Sequence, residues 1–120
     1  LAEHAALKAT IEKLRFSACE AIQQSNLLSS INDRHVILTG IETHICILQT
    51  AMDLLELGCR VTLVVDATGS RRSIDQQTAL RRMESAGVVL ATAESIAFEW
   101  CEIAGTDAFK SISRLVRDRT

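Results

Sequence analysis

Proline is missing from this sequence altogether. That suits a helix-rich α/β domain, because no residue then removes a helical N–H or clashes with the preceding turn. Aromatic residues make up only 3%, too few to supply stacking platforms for bases or sugars. There is no basic excess: 13 Lys and Arg stand against 15 Asp and Glu, a formal net charge of −2. The two signs are interspersed, so no footprint for nucleic acid or an anionic membrane surface is visible. No apolar stretch approaches the ~20 residues of a membrane span, and no secretory pattern opens the chain, whose first residue is Leu1 rather than methionine. The four cysteines, Cys19, Cys46, Cys59 and Cys101, include no C-x-x-C pair, which argues against a zinc knuckle or a thioredoxin-type motif. A reduced, cytoplasmic setting is the expectation from that usage. H-x-x-x-H, H-E-x-x-H and G-x-G-x-x-G patterns are also missing. Neither a metal nor a nucleotide cofactor is therefore expected.

What is present is an ordinary globular composition, 48% hydrophobic and 23% charged over 120 residues, enough for one domain. Residues 3 to 9 read as the end of a helix. Thr10 to Phe16 reads as a short strand, and Ala18 to Ser29 as an amphipathic helix with Cys19, Ile22 and Leu27 inward. His35 to Thr39 is a compact apolar run stopped by Gly40, the pattern of a strand buried on both faces. Helical spacing follows over residues 43 to 57, with Ile45, Leu48, Met52 and Leu55 on one face, Thr43 as N-cap and Gly58 as the stop.

The unit then recurs. Val61 to Val65 predicts a second buried strand ending at Asp66, and Ala67 to Arg72 a polar loop. A helix begins with Ser73 as N-cap and Gln76 completing a capping box, and Gly87 ends it. Val88 to Ala91 predicts a third strand. Thr92 caps a helix through Ile103, Gly105 ends it, and a last helix carries Phe109, Ile112, Leu115 and Val116. The strands start near positions 36, 61 and 88, leaving room for a helical crossover and little more, so they should be parallel.

A parallel sheet of this kind places its site at the C-terminal strand ends. Those are Gly40 to Cys46, Asp66 to Arg72 and Thr92 to Ser95. With Thr43 as N-cap, Cys46 falls at the third helical position, where free N–H groups and the helix dipole favour a thiolate and can hold an oxyanion. The plainer reading of Cys46 is a small buried hydrophobe, and Cys19, Cys59 and Cys101 are read that way. His44 is open between a base and a structural hydrogen-bonding group, and Glu42 is equally ambiguous. Ser70-Arg71-Arg72-Ser73 reads as a solvated, capped loop, with anion binding at the helix start as the alternative.

Gly40-Ile41-Glu42-Thr43-His44-Ile45-Cys46, followed by Gln49-Thr50 and Asp53-Leu54, resembles the signature of the isochorismatase-like cysteine hydrolases. The likeness continues through Val61 to Ala67, Ser70-Arg71, Arg82-Met83, Ala86-Gly87 and Thr92 to Ser95. The tail, with Ala104-Gly105, Phe109-Lys110 and Ile112-Ser113, is similar to the branch called isochorismatase domain-containing proteins. Upstream, Glu12 to Ala18 is similar to the family's lysine-bearing strand.

The resemblance implies a Rossmann-like three-layer α/β/α fold with a mainly parallel sheet, and an Asp-Lys-Cys triad. Cys46 would be the nucleophile and Lys13 the lysine. The Ile41–Glu42 peptide bond would be cis, aiming the N–H groups of Glu42 and Cys46 at an oxyanion. The implied aspartate belongs to a segment resembling Val-Val-Asp-Met-Gln, which residues 1–120 do not contain. Asp33, Asp53 and Asp66 do not stand in that motif, so no base is assigned. The domain is accordingly expected to be N-terminally incomplete, and inactive as these residues alone. The implied reaction is hydrolysis of a small amide or related C–N bond through a Cys46 thioester. A cysteine at position 46 disfavours isochorismate itself, whose vinyl ether needs protonation rather than a thiol. The resemblance implies a small-molecule substrate, no cofactor and a homo-oligomer. The alternative is a non-catalytic fragment or subunit that keeps the fold.

Overall fold

A computed structural model describes residues 10–25 and 34–119. Its sheet has three strands: β1 (His35–Ile41), β2 (Arg60–Gly69) and β3 (Val89–Ala91), in the order β1-β2-β3. Both pairings are parallel, as the crossover lengths required. The helices are α1 (Cys19–Gln24), α2 (Leu48–Glu56), α3 (Ser73–Ala86), α4 (Ala93–Cys101) and α5 (Asp107–Arg119). A single π-type turn over Thr43–Ile47 leads directly into α2.

The core lies between the sheet and α2 and α3. Leu54, Leu63, Met83 and Ala51 are fully buried there, with Val61, Cys59, Ala79 and Val88 around them. Side chains alternate along a strand. Val61 and Leu63 therefore face α2 and α3, while Thr62 and Val64 face the other side. That side carries α4, which buries Ile96. Beyond it, Phe98 of α4 and Phe109 of α5 pack with ring centroids 5.9 Å apart. The result is a three-layer α/β/α arrangement. Among the described residues no helix is long and apolar enough to cross a membrane.

Several helix ends follow local chemistry. Gly58 and Gly87 take positive φ of 85° and 113° and stop α2 and α3. At the end of α2, Gly58 N–H donates to Leu55 O and Cys59 N–H to Leu54 O, a Schellman closure. At α4, the Thr92 Oγ1 accepts from Ser95 N–H at 3.2 Å, and Ser95 Oγ accepts from Thr92 N–H at 3.1 Å. This reciprocal box satisfies two of the free donors at a helix start.

Other expectations are corrected. Thr10 to Phe16 is not a strand, because no strand pairs with it among the described residues. Instead the Arg15 and Phe16 carbonyls bond to the Lys13 side chain. β1 is half-exposed rather than buried on both faces, since among the described residues it lies at the sheet edge. α1 shows Cys19 buried and Ile22 half-buried. Leu27, with the remainder of that helix to Ser29, lies outside the described residues, as do residues 3 to 9. The buried stripe leading into and along α2 is Ile47, Leu48, Ala51 and Leu54; Ile45, Met52 and Leu55 sit at its margins. Ser73 is the first residue of α3, and extended Arg72 is the cap. Ser73 Oγ accepts from Gln77 Nε2 instead of closing a box with Gln76. α4 ends at Cys101, before Ile103, where Glu102 takes φ 60°.

β2 also runs longer than its apolar core, reaching Gly69. His35 to Leu38 pair in register with Arg60 to Leu63, but Gly40 and Ile41 then pair with Thr68 and Gly69. The extra residues of β2 bulge out between those two stretches. Gly40 sits at the end of this irregularity with φ 113°, a conformation in which a side chain would be strained. The bulge brings the end of β1 alongside the loop that opens α3.

Candidate active site

The turn after β1 is the centre of the site. The Ile41–Glu42 peptide bond is cis. Glu42 is extended and caps the following turn through its carbonyl, which accepts from Ile45 N–H at 3.1 Å and from Ile47 N–H at 3.3 Å. The second of these is an i to i+5 bond, so the helix opens with a π turn, a feature that recurs at functional sites. Thr43 is therefore inside the turn and is not its cap. It is fully buried, and its Oγ1 has no hydrogen-bond partner among the described residues. Counted from Glu42, Cys46 is the fourth helical residue rather than the third. It is half-buried.

Lys13 reaches this turn from the N-terminal segment. Its Nζ lies 3.6 Å from Cys46 Sγ, 2.8 Å from Phe16 O and 3.0 Å from Arg15 O. An ammonium has three N–H donors, and here each has an acceptor. The segment is pinned to α2 one turn beyond the cysteine, where buried Thr50 Oγ1 accepts from Ala18 N–H at 2.9 Å. Cys46 and Thr50, four residues apart, share one helix face. Thr50 thus anchors the lysine segment on the face that carries the thiol.

His44 faces elsewhere. Its Nδ1 lies 2.8 Å from Ser70 Oγ, and its Nε2 lies 3.8 Å from Asp75 Oδ2. Both ring nitrogens are directed at the β2–α3 loop and α3, so His44 serves a structural contact. Glu42 also turns to that loop: its Oε1 accepts from both the backbone N–H and the Nε of Arg71, each at 3.1 Å. The Arg71 N–H is the main reason the Glu42 carboxyl is held below the ordinary glutamate value. Burial opposes the shift, while the guanidinium charge and its Nε–H add to it. Asp66, in the bulged stretch of β2, is engaged too: its Oδ1 accepts from Ala93 N–H at the start of α4 at 2.8 Å.

The other cysteines are in different surroundings. Cys19 and Cys59 are buried. Burial, followed by the nearby Asp53 charge and Cys59, pushes the Cys19 thiol up. Cys101 Sγ contacts Ile103 O and Thr106 Oγ1 at 3.7 Å each. Cys46, by contrast, has the Lys13 ammonium at its sulfur. No carboxylate hydrogen-bonds that sulfur, and no cluster of His, Cys, Asp or Glu is placed to hold a metal ion, again among the described residues.

Sequence reading brought out Cys46 and Lys13, and the structure brings them together. That reading named Thr50, Ser70, Arg71 and Glu42 as motif or loop residues, but not the contacts Ala18–Thr50, His44–Ser70 and Glu42–Arg71. Those contacts join residues more than 25 positions apart, and no local pattern encodes them.

The model of the isochorismatase domain family matches residues 3–95. Isochorismatase domain-containing protein 2 from Bos taurus is 42% identical over 106 residues, covering 88% of this chain and 52% of that protein. The structure of the MAR1 ribonuclease from Caenorhabditis elegans superposes with a TM-score of 0.74 at 38% identity, covering 87% of this chain and 53% of that one. A nicotinamidase from Staphylococcus aureus superposes with a TM-score of 0.59 at 25% identity, covering 68% and 53%. The chain thus spans about half the length of the relatives it matches. Its fold is that of the isochorismatase-like hydrolases.

Proposed function

Because the chain belongs to the isochorismatase domain family, we propose that it serves a cysteine hydrolase acting on a small amide or related C–N bond. The observation that carries this reading is the 3.6 Å approach of Lys13 Nζ to Cys46 Sγ at the start of a helix. The relation to a nicotinamidase supports an amide as the substrate class.

In this reading the Cys46 sulfur attacks the carbonyl carbon. A C–S bond forms and the carbonyl electron pair moves to oxygen. The N–H groups of Glu42 and Cys46 receive the oxyanion, and Lys13 offsets the negative charge at sulfur. Collapse restores the carbonyl, breaks the C–N bond and leaves a thioester. Water then releases the acid and returns the thiol. As the sulfur attacks, a base must take the thiol proton and then deliver it to the leaving amine. That role falls to the aspartate implied by the family resemblance, whose motif is not in residues 1–120. A homo-oligomer is part of the same reading.

Likeness to a protein called a ribonuclease brings phosphodiester cleavage as a second reading. A net charge of −2 and 3% aromatics offer few phosphate or stacking contacts, so the amide reading stands first.

The test is hydrolysis of a panel of small amides, nicotinamide included, by the full-length protein and its Cys46→Ala variant. Cys46-dependent release of ammonia or amine is the expected result. Turnover that survives the substitution, or no turnover on any amide, overturns the proposal.

A further inference from the structure

The loop between β2 and α3 grips the turn that carries the thiol. Glu42 Oε1 takes two hydrogen bonds from Arg71, and two residues on His44 Nδ1 meets Ser70 Oγ. Alternate residues of the turn are thereby tied to consecutive residues of the loop. The third approach, His44 Nε2 to Asp75 at 3.8 Å, is too long for a hydrogen bond.

The two partners of the ion pair are unequal. The Arg71 side chain is 83% exposed, whereas that of Glu42 is 19% exposed. An exposed pair contributes little to stability, and half of this one is at the surface. Its geometry is the informative part. A carboxylate drawn out of water accepts a backbone N–H, and so fastens one main chain to another. Glu42 is held at two points: its carbonyl accepts two N–H groups of the π turn, and its carboxylate is bound to Arg71. Beside it opens a cleft of about 700 Å³ lined by Ile41, Glu42, Gly69, Ser70 and Arg71. Ile41 is 75% exposed and offers this cleft an apolar wall. The loop read from sequence as merely solvated is therefore one side of a bracket, with the acyl-transfer turn as the other.

We infer that the Glu42–Arg71 pair is a positioning device for the reaction, holding the Ile41-Glu42 turn so that the Glu42 and Cys46 N–H groups stay aimed at the oxyanion. The inference rests on the cysteine-hydrolase reading for its catalytic consequence. Glu42 is a positioning residue here: its carboxylate is spent on Arg71, and its effect on the reaction passes through the backbone. Oxyanion stabilisation depends on donors fixed before charge develops, and a displacement of roughly 1 Å can cost about a hundredfold in rate. Loosening the turn should therefore lower kcat more than it raises KM, because the donors matter most when the oxygen is charged.

The experiment compares the full-length wild type with Glu42→Ala, Glu42→Gln and Arg71→Ala. It measures kcat and KM on the best amide, and amide hydrogen exchange over residues 41–47. Glu42→Ala should lower kcat about 10- to 100-fold with KM within about threefold, and should speed exchange in residues 41–47 but not in Val61 to Val64. Glu42→Gln retains an acceptor for the Arg71 N–H and should recover most of both. Arg71→Ala removes an exposed side chain but keeps that N–H, so it should fold and give an intermediate effect. A Glu42→Ala kcat within about threefold of wild type, or a Gln variant as impaired as Ala, overturns the inference. If the wild type hydrolyses no amide, the hydrolase reading falls by itself and hydrogen exchange decides. Faster exchange at the turn in Glu42→Ala then upholds the bracket, and unchanged exchange overturns it.

Discussion

Lys13 Nζ and Cys46 Sγ, 33 residues apart in sequence, stand 3.6 Å apart in the structure. The ammonium is held at the sulfur by the Arg15 and Phe16 carbonyls, and the lysine segment is tied to α2 through Thr50. A flexible four-carbon side chain is thus given one place, with its ammonium beside a cysteine near a helix start.

Cys46 should be the first of the four thiols to react with limiting iodoacetamide, as read by peptide mapping of the folded protein. Its sulfur is half-buried and faces a cation, whereas Cys19 is buried with its thiol pushed up by burial, then by Asp53 and Cys59. Cys19 should be the slowest. Lys13→Met should slow labelling of Cys46 and leave Cys101 unchanged. Prior labelling of Cys19 or Cys59 would remove the basis for the nucleophile assignment.

Cys46→Ala should abolish amide turnover in the full-length protein with little change in melting temperature. The side chain is small and lies outside the packed stripe of Ile47, Leu48, Ala51 and Leu54. Loss of a covalent nucleophile removes several orders of magnitude in rate. Activity within about tenfold of wild type, only ~1.4 kcal/mol in barrier, would assign the chemistry to another group.

Acid should loosen the site turn. The Glu42 carboxyl is held below its ordinary value by the Arg71 N–H first, with the guanidinium and the His44 charge adding to the shift. A depressed carboxylate contributes stability that is present above the unfolded value and is lost as pH falls through the folded one. Protection of residues 41–47, taken relative to the intrinsic exchange rate at each pH, should therefore fall below the ordinary glutamate range. Glu42→Gln has no charge to lose and should lack that step. An identical acid profile in the Gln variant would exclude Glu42 as the group responsible.

Thr92→Ala should destabilise the domain by about 1 kcal/mol, since it removes the acceptor for Ser95 N–H at the start of α4. Ser73→Ala should have a smaller effect, because Ser73 is not the cap of α3. Urea denaturation of both variants checks the order. Equal losses would mean that the α4 box contributes nothing special.

Leu54→Ala should cost about 2–5 kcal/mol, as a fully buried side chain between α2 and the sheet is replaced by a cavity. Leu115→Ala, on a residue 70% exposed, should stay within about 0.5 kcal/mol. The contrast in denaturation midpoint is the measurement. A small loss at Leu54 would place the core elsewhere.

Much of this protein follows from the sequence by itself. Short apolar runs at His35, Val61 and Val88, with room for one helix between them, dictate parallel strands because no tight turn can join them. Gly58, Gly87 and Thr92 mark helix ends because their effect is local: a positive φ or a hydroxyl acts on atoms within a few residues. Cys46 at a helix start and Lys13 upstream were legible as motif positions.

Tertiary structure decided the rest, because those outcomes depend on which distant group wins a contact. Thr10 to Phe16 has strand-like residues, but with no paired ladder among the described residues its carbonyls go to Lys13. Ser73 has the chemistry of a cap, yet α3 starts one residue earlier, on extended Arg72. Thr43 was displaced as N-cap by Glu42, whose carbonyl accepts the first helical N–H groups while its carboxylate crosses to Arg71. Sequence patterning reports helix and strand periods; it carries no record of the bulge in β2 that brings Ser70 and Arg71 beside the turn, and that bulge determines how the site is held.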